Sequence, residues 1–509
     1  MNKINVEFLQ NEYWWGSIVQ DGIYMPIQRE DFTRDLSKEQ SGNQSTPLLL
    51  SSKGRYIWSE EPYTYSFEKN RLTVCGKEGE IKLSEGHETL RGAFLHASGN
   101  YFPADGKYPD SLMFTAPQYN TWIEMMYEPT QQKVLEYAKA IIDNDMPPGV
   151  LIIDDNWQED YGVWDFHPGR FPAPKTMIET LHNMGFKVML WICNLVSADS
   201  LTGRYLEKEG YLVRTTEGMP AIARWWNGYS EMIDFTNEKA VLWFKNKLNS
   251  LMREYGVDGF KFDAGDIDQF GENFTCSKQI SGLEYSEIWA QLGYDYSLNE
   301  YRACWKMGGK GLAQRLSDKK HSWELDGGLG SLIPNGLLQG ILGYAFTCPD
   351  MIGGGEYMNF LANSKNLDME LIVRNAQCAA LFPMMQFSAA PWRVLDETHR
   401  KLCVEMADLH LKFGRRILNL AKEAAITGEP IIRSMEYVFP GNGYEKVIDQ
   451  FMLGDNILVA PVTVKGAITK SVIFPEGKWI GDDESIVEGP CIQIIEVPLS
   501  RLPWYEKLK

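Results

Sequence analysis

The chain repeats one unit: a segment with helical spacing of apolar residues, then a short apolar run that breaks into acids. Val150-Leu151-Ile152-Ile153 ends in Asp154-Asp155-Asn156-Trp157, and Lys187-Val188-Met189-Leu190-Trp191-Ile192-Cys193 follows a helix expected over 175–184. Val241, Phe244, Leu248, Leu251, Met252 and Tyr255 recur at helical spacing before Gly256-Val257-Asp258-Gly259-Phe260-Lys261-Phe262-Asp263. A continuous apolar run bounded by turns is what a parallel strand covered on both faces requires, and polar groups then emerge at its C-terminal end. Further units are expected around 311–318, 344–350 and 383–387, with helices over 130–144, 237–255, 283–307, 327–342 and 367–381. Alternation sustained over this length fits a closed (β/α)₈ TIM barrel better than an open sheet.

The flanks differ. Residues 1–113 hold short alternating runs such as Arg71-Leu72-Thr73-Val74 between Gly, Asn, Ser and Pro, and read as an all-β module. Residues 114–415 carry the barrel, and 416–509 return to strands such as Ile457-Leu458-Val459 and Ser471-Val472-Ile473-Phe474.

Composition narrows the chemistry. A formal charge of −18 argues against nucleic acid and anionic membrane partners, while 16 Trp, 24 Tyr and 23 Phe suit stacking on flat neutral ligands such as sugar rings. The eight cysteines are scattered without a C-x-x-C pair and read as buried free thiols. The seven histidines show no i, i+4 pair, so no histidine metal site is expected. No signal peptide or long apolar run is seen, so a cytoplasmic location is expected unless a signal has been trimmed. Association into homo-oligomers is left open.

Acids collect where strands should end: Asp154, Asp155, Asp263, Asp266, Asp318 and Asp350. Lys261 and Asp263, two apart on a strand, share one face, which needs either a structural ion pair or a site that uses the charges. Two carboxylates in different protonation states are what glycoside cleavage requires. No G-x-S-x-G, H-E-x-x-H or Walker motif competes.

The series Ile-Ile-Asp-Asp-Asn-Trp, Met-Leu-Trp-Ile, Gly-Phe-Lys-Phe-Asp-Ala-Gly-Asp, Arg-Leu-Ser-Asp and Cys-Pro-Asp-Met-Ile-Gly-Gly-Gly resembles glycoside hydrolase family 31. The resemblance implies a barrel between N- and C-terminal β-sandwich domains and a retaining α-glycosidase without metal or organic cofactor. Asp263 matches the family's nucleophile and Asp266 the trailing acid of the same motif. Asp318 stands at the acid/base position, and Arg302, sixteen residues earlier, matches a sugar-binding arginine. Trp226 fits an aromatic wall. Asp350 matches the Asp of the H-D-I-G-G motif, in which Pro349 replaces His.

Asp154, Asp155, Trp157, Lys261, Arg302 and Asp350 are expected to hold sugar hydroxyls, with Trp191 and Trp226 as apolar walls. Trp225 is expected to pack, and Arg315 to be a structural partner of Asp318. Asp318 is expected to carry a proton because its pKa is raised, with its carboxyl about 5–5.5 Å from that of Asp263. Lys261 can donate to an axial 4-hydroxyl, so an α-linked galactoside is the expected substrate. An α-glucosidase, an α-N-acetylgalactosaminidase, a lyase or transglycosylase on the same barrel, and a non-catalytic carbohydrate-binding relative are the alternatives.

Overall fold

The computed structural model describes residues 2–27, 32–38 and 42–508. Met1, residues 28–31 and 39–41 of the expected N-terminal module, and Lys509 of the C-terminal one lie outside them.

Eight parallel strands form the centre: β1 (Gln118–Asn120), β2 (Val150–Ile153), β3 (Lys187–Ile192), β4 (Gly259–Phe262), β5 (Asn299–Tyr301), β6 (Gln314–Arg315), β7 (Thr347–Cys348, resuming at Met351–Ile352) and β8 (Gln386–Phe387). The first half of β7 pairs with β6 and its second half with β8, and β8 pairs with β1. The ring therefore closes through one strand interrupted at Pro349-Asp350. Proline has no N–H to give to a ladder, and Asp350 turns into left-handed backbone at φ +84°.

Helices follow seven of the strands: α1 (Gln131–Asp143), α2 (Pro174–Asn183), α3 (Glu238–Tyr255), α4 (Gly282–Gly293), α5 (Leu332–Ile341), α6 (Met369–Ala380) and α7 (Glu397–Thr427). Their ends carry the expected chemistry. The Thr130 side chain accepts from the Lys133 N–H to start α1, and Ser281 with Glu284 forms a capping box on α4. Gly256 in left-handed backbone stops α3. Along α3, Ala240, Phe244, Leu248 and Leu251 form the buried stripe, each of the larger side chains stabilising by roughly 1.5–3 kcal/mol. Pro334 sits in the first turn of α5, where its missing N–H costs nothing.

Two expectations change here. The helix read over 283–307 ends at Gly293, and β5 follows, because Asn299-Glu300-Tyr301 is too short and polar to announce a strand. The boundary expected at 416 falls inside α7, which runs unbroken until Gly428 adopts φ +78°.

No helix follows β5. Instead Cys304–Trp305 pairs in parallel with Gln44-Ser45 of an N-terminal strand, so a barrel connection becomes part of the N-terminal sheet. That sheet also holds Trp14–Ile18, Tyr56–Trp58 and Lys82–Ser84, and a second, four-stranded sheet holds Asn2–Glu7, Phe32–Asp35, Tyr63–Glu68 and Arg71–Gly76. After α7 comes a six-stranded antiparallel sheet closing on Met452, Leu458, Phe474 and Trp479. All eight cysteines are free, five of them buried. No helix among the described residues is long and apolar enough to cross a membrane.

Inside the ring a polar column replaces apolar filling. The Gln386 side-chain amide donates to Gln118 at 2.9 Å and to Glu300 at 2.7 Å, and Glu300 accepts from Arg315 Nε at 3.2 Å. These groups are buried and bonded to one another, with the Gln118 side-chain nitrogen left without a partner among the described residues. The column leads up to the C-terminal ends of the strands.

Candidate active site

A cavity of about 750 Å³ opens at that end, lined by Asp154, Asp155, Trp191, Lys261, Asp263 and Asp318 among others. Its floor comes from strand ends. Directly after β4, Ala264 (φ +59°) and Gly265 (φ +76°) turn the backbone sharply, and the Ala264 N–H donates to Asp263 Oδ1 at 2.9 Å. A Cβ on Gly265 would lie 2.3 Å from the Trp289 ring, so only glycine fits this turn.

Asp263 is surrounded by donors. Arg302 Nε lies 3.1 Å from Oδ1, Trp191 Nε1 donates to Oδ2 at 2.9 Å, and Lys261 Nζ stands 4.0 Å away. Burial works against its ionisation, but Arg302, Lys261, Arg315 and the indole N–H outweigh it and hold Asp263 well below the usual carboxylate range. The same guanidinium of Arg302 grips Asp266 at 3.0 and 2.8 Å and lies 5.5 Å from the Trp226 ring centre. Trp226 is 47% exposed at the cavity mouth.

Lys261 donates to Asp154 at 2.6 Å. Burial favours the neutral amine, yet Asp154 and then Asp263 prevail over it and over the repulsion of Arg315, so the ammonium stays charged. Asp155 points the other way. Its Oδ2 accepts from Asn227 at 2.8 Å and Tyr161 at 3.2 Å, while its buried Oδ1 has no partner. Burial, reinforced by the adjacent Asp154, pushes Asp155 up to about 7.

The Asp318 side chain is 40% accessible and faces the cavity, with Arg315 Nη1 at 2.6 Å. Burial raises its proton affinity, but Arg315, Arg302 and Lys261 together bring it below the ordinary carboxylate value, against the opposing charge of Asp263. This corrects the expectation of a raised pKa: a guanidinium in direct contact decides the sign. The raised group is Asp350. It lies deeper, accepts from Arg315 at 2.6 Å and from the Lys319 N–H at 2.7 Å, and burial lifts it to about 6.

Of the residues expected to hold or flank a sugar, Asp154, Asp155, Trp191, Trp226, Lys261 and Arg302 reach the cavity wall. Trp157 and Asp350 do not. Trp157 is fully buried, its N–H donating to the Trp191 carbonyl at 2.7 Å and its ring packed 4.9 Å from Phe166. Its position one turn past the strand end carries it under the barrel loops. Trp225, read as packing, is largely buried yet also touches the cavity.

Sequence reasoning did not place Trp122, Tyr357 and Gln20 on the cavity wall, where the first two open short helices and the third sits in a 3₁₀ turn of the N-terminal region, nor Asn227 against Asp155. It also left Arg315 out of the site, although Arg315 lines the cavity and binds three carboxylates. A lone arginine three residues before the acid was the only signal. Among the described residues no cluster of His, Cys, Asp and Glu is arranged to hold a metal ion.

The models of the glycosyl hydrolase family 31 TIM-barrel domain and C-terminal domain match residues 112–321 and 428–507, together more than half of the chain. The chain belongs to glycosyl hydrolase family 31. Among family relatives, the myogenesis-regulating glycosidase of Mus musculus is 35% identical over 387 residues, covering 74% of this chain and 54% of that protein. Alpha-glucosidase 2 of Bacillus thermoamyloliquefaciens is 25% identical, covering 74% and 50%. The chain thus spans about half the length of these two relatives. The fold of a family 31 dextranase from Flavobacterium johnsoniae, complexed with glucose, superposes with a TM-score of 0.84 at 19% identity, over 99% of this chain and 66% of that one. A family 31 α-xylosidase from a soil metagenome gives 0.84 at 20% identity, over 99% and 79%.

Proposed function

We propose that this family 31 chain is a retaining, exo-acting α-glycoside hydrolase that prefers α-galactosides. One observation carries the reading: an ionised Asp263 and a solvent-facing Asp318 line the same cavity, which is closed below by the barrel interior. Asp263 attacks the anomeric carbon and displaces the aglycone oxygen, to which Asp318 gives its proton. Water then attacks the glycosyl ester, Asp318 takes the water's proton, and Asp263 departs as carboxylate. Once Asp263 is esterified, the negative charge that had favoured protonation of Asp318 is gone, so its pKa falls further, the direction a base requires. Arg315 lowers Asp318 in the free enzyme too, so activity should peak on the acid side of neutrality and fall as Asp318 loses its proton.

The sugar rests on Lys261. Asp154 engages one direction of its ammonium at 2.6 Å, and the group lines the cavity two residues before the nucleophile, on the same strand face. A 4-hydroxyl that rises from the ring plane toward this corner gains a charge-assisted hydrogen bond that an equatorial one misses. Glucose is the second reading, favoured by relatives bearing α-glucosidase names.

A panel of nitrophenyl α-glycosides decides between them. The galactoside is expected to be the better substrate, and turnover of the glucoside alone would reject the sugar assignment. Asp263→Asn should lower kcat by about 10⁴-fold or more with the fold intact. Proton NMR should show the α-anomer released first.

A further inference from the structure

We infer that Arg315 is a positioning residue that joins Asp318 and Asp350 into one titrating unit, so that the guanidinium they share sets the pH range of proton delivery. The inference rests on the assignment of Asp318 as acid/base above. Arg315 Nη1 lies 2.6 Å from an oxygen of each carboxylate and also donates to the Leu316 carbonyl at 3.1 Å. One Nη carries two hydrogens, and three acceptors compete for them. It cannot swing toward either carboxylate, because Nε is held by Glu300 at 3.2 Å and Glu300 by Gln386 at 2.7 Å.

The two acids are unequal. The Asp350 side chain is 1% accessible and that of Asp318 is 40% accessible. Lys261 and Asp263 face Asp318 from β4, Arg302 from the end of β5, and Asp350 and Lys319 from below. Arg315 touches Asp318 directly, at 2.6 Å, so a change in how Arg315 divides its hydrogens acts on Asp318 first. Neutralising Asp350 hands Arg315 to Asp318 and makes it a stronger acid. Removing the guanidinium makes it a weaker one.

The test is the pH profile of kcat/KM for Asp350→Asn and Arg315→Gln, on the nitrophenyl α-glycoside the enzyme turns over fastest. The alkaline limb should move to lower pH by about one unit in the first variant and to higher pH by about one unit in the second. Circular dichroism checks folding. If Arg315→Gln does not fold, Arg315→Lys, which keeps the charge but cannot fork, should still move the limb upward. Opposite shifts support the inference, and a limb that stays in place in every folded variant while rates drop overturns it. A control separates that outcome from failure of the acid/base assignment. Asp318→Ala should still cleave the glycosyl fluoride of the same sugar, whose leaving group needs no proton, and should form the glycosyl azide when azide is added. Loss of both would bring down the assignment and the inference with it.

Discussion

Asp155 reaches the cavity with no ion pair among the described residues, and burial lifts it to about 7. A group bound more tightly to its proton when folded stabilises the protein fully below its unfolded pKa, near 4, and loses that contribution as pH rises through 7. Asp155→Asn does not titrate. It should therefore gain about 4 kcal/mol over the native chain at pH 8 and about 1 kcal/mol at pH 4.5, as read by denaturant unfolding at both values. An equal difference at the two pH values would show that Asp155 is ionised in the fold. Asp263 has the opposite sign: its depressed pKa supports the fold above the ordinary carboxylate range and withdraws that support in strong acid.

At the scale of elements, the hairpin of Ile222–Trp225 and Gly228–Met232 carries Trp226 at its turn. Asn227 beside it fastens the turn to the cavity wall. Its amide nitrogen donates to Asp155 at 2.8 Å and to Tyr161 at 2.7 Å, and its oxygen accepts from Tyr127 at 2.8 Å. Asn227→Ala removes the tie without touching either catalytic carboxylate. KM for a nitrophenyl glycoside should rise roughly tenfold, as one or two net hydrogen bonds of about 1 kcal/mol each are lost, with kcat changed less. An unchanged KM would show that Trp226 needs no anchor.

Elements differ in how openly they announce themselves. α1, α3 and α7 are long enough for their buried stripes to stand out, and β2 to β4 are apolar runs, of which β2 and β4 are ended by acids. β1 and β5 have three residues each, with Gln118, Asn120 and Glu300 turned to the polar column, so neither alternation nor an apolar run marks them. The acids at strand ends were legible because their chemistry is carried by residue type. Partner choice was not: that Arg315 divides itself between Asp318 and Asp350 depends on β6 meeting β7 across the ring, a contact no local spacing records. Trp157 misled for the converse reason, since its place after two acids suggests a sugar platform while its indole packs beneath the loops.

At the scale of the molecule, the barrel and the C-terminal sheet share one buried arginine. From α6, Arg374 donates to the Val497 carbonyl at 2.7 Å and to those of Ala467 and Arg501 at 3.3 Å and Pro498 at 3.4 Å. Truncation strands buried acceptors, each costing about 1–3 kcal/mol. Arg374→Ala should destabilise by about 3 kcal/mol or more and let the C-terminal sheet melt before the barrel. A single unfolding transition with an unchanged midpoint would show that the carbonyls find other donors.

The break in β7 has a practical outcome. Asp350 occupies a backbone conformation, φ +84°, that glycine, asparagine and aspartate tolerate and other side chains resist. Exchange to asparagine keeps both the dihedral angle and the volume, while it removes the charge and leaves one acceptor oxygen where Arg315 and the Lys319 N–H now have two. The barrel's seam is thus a dial: its working acidity can be retuned by one atom's replacement, oxygen for nitrogen, without recutting the scaffold.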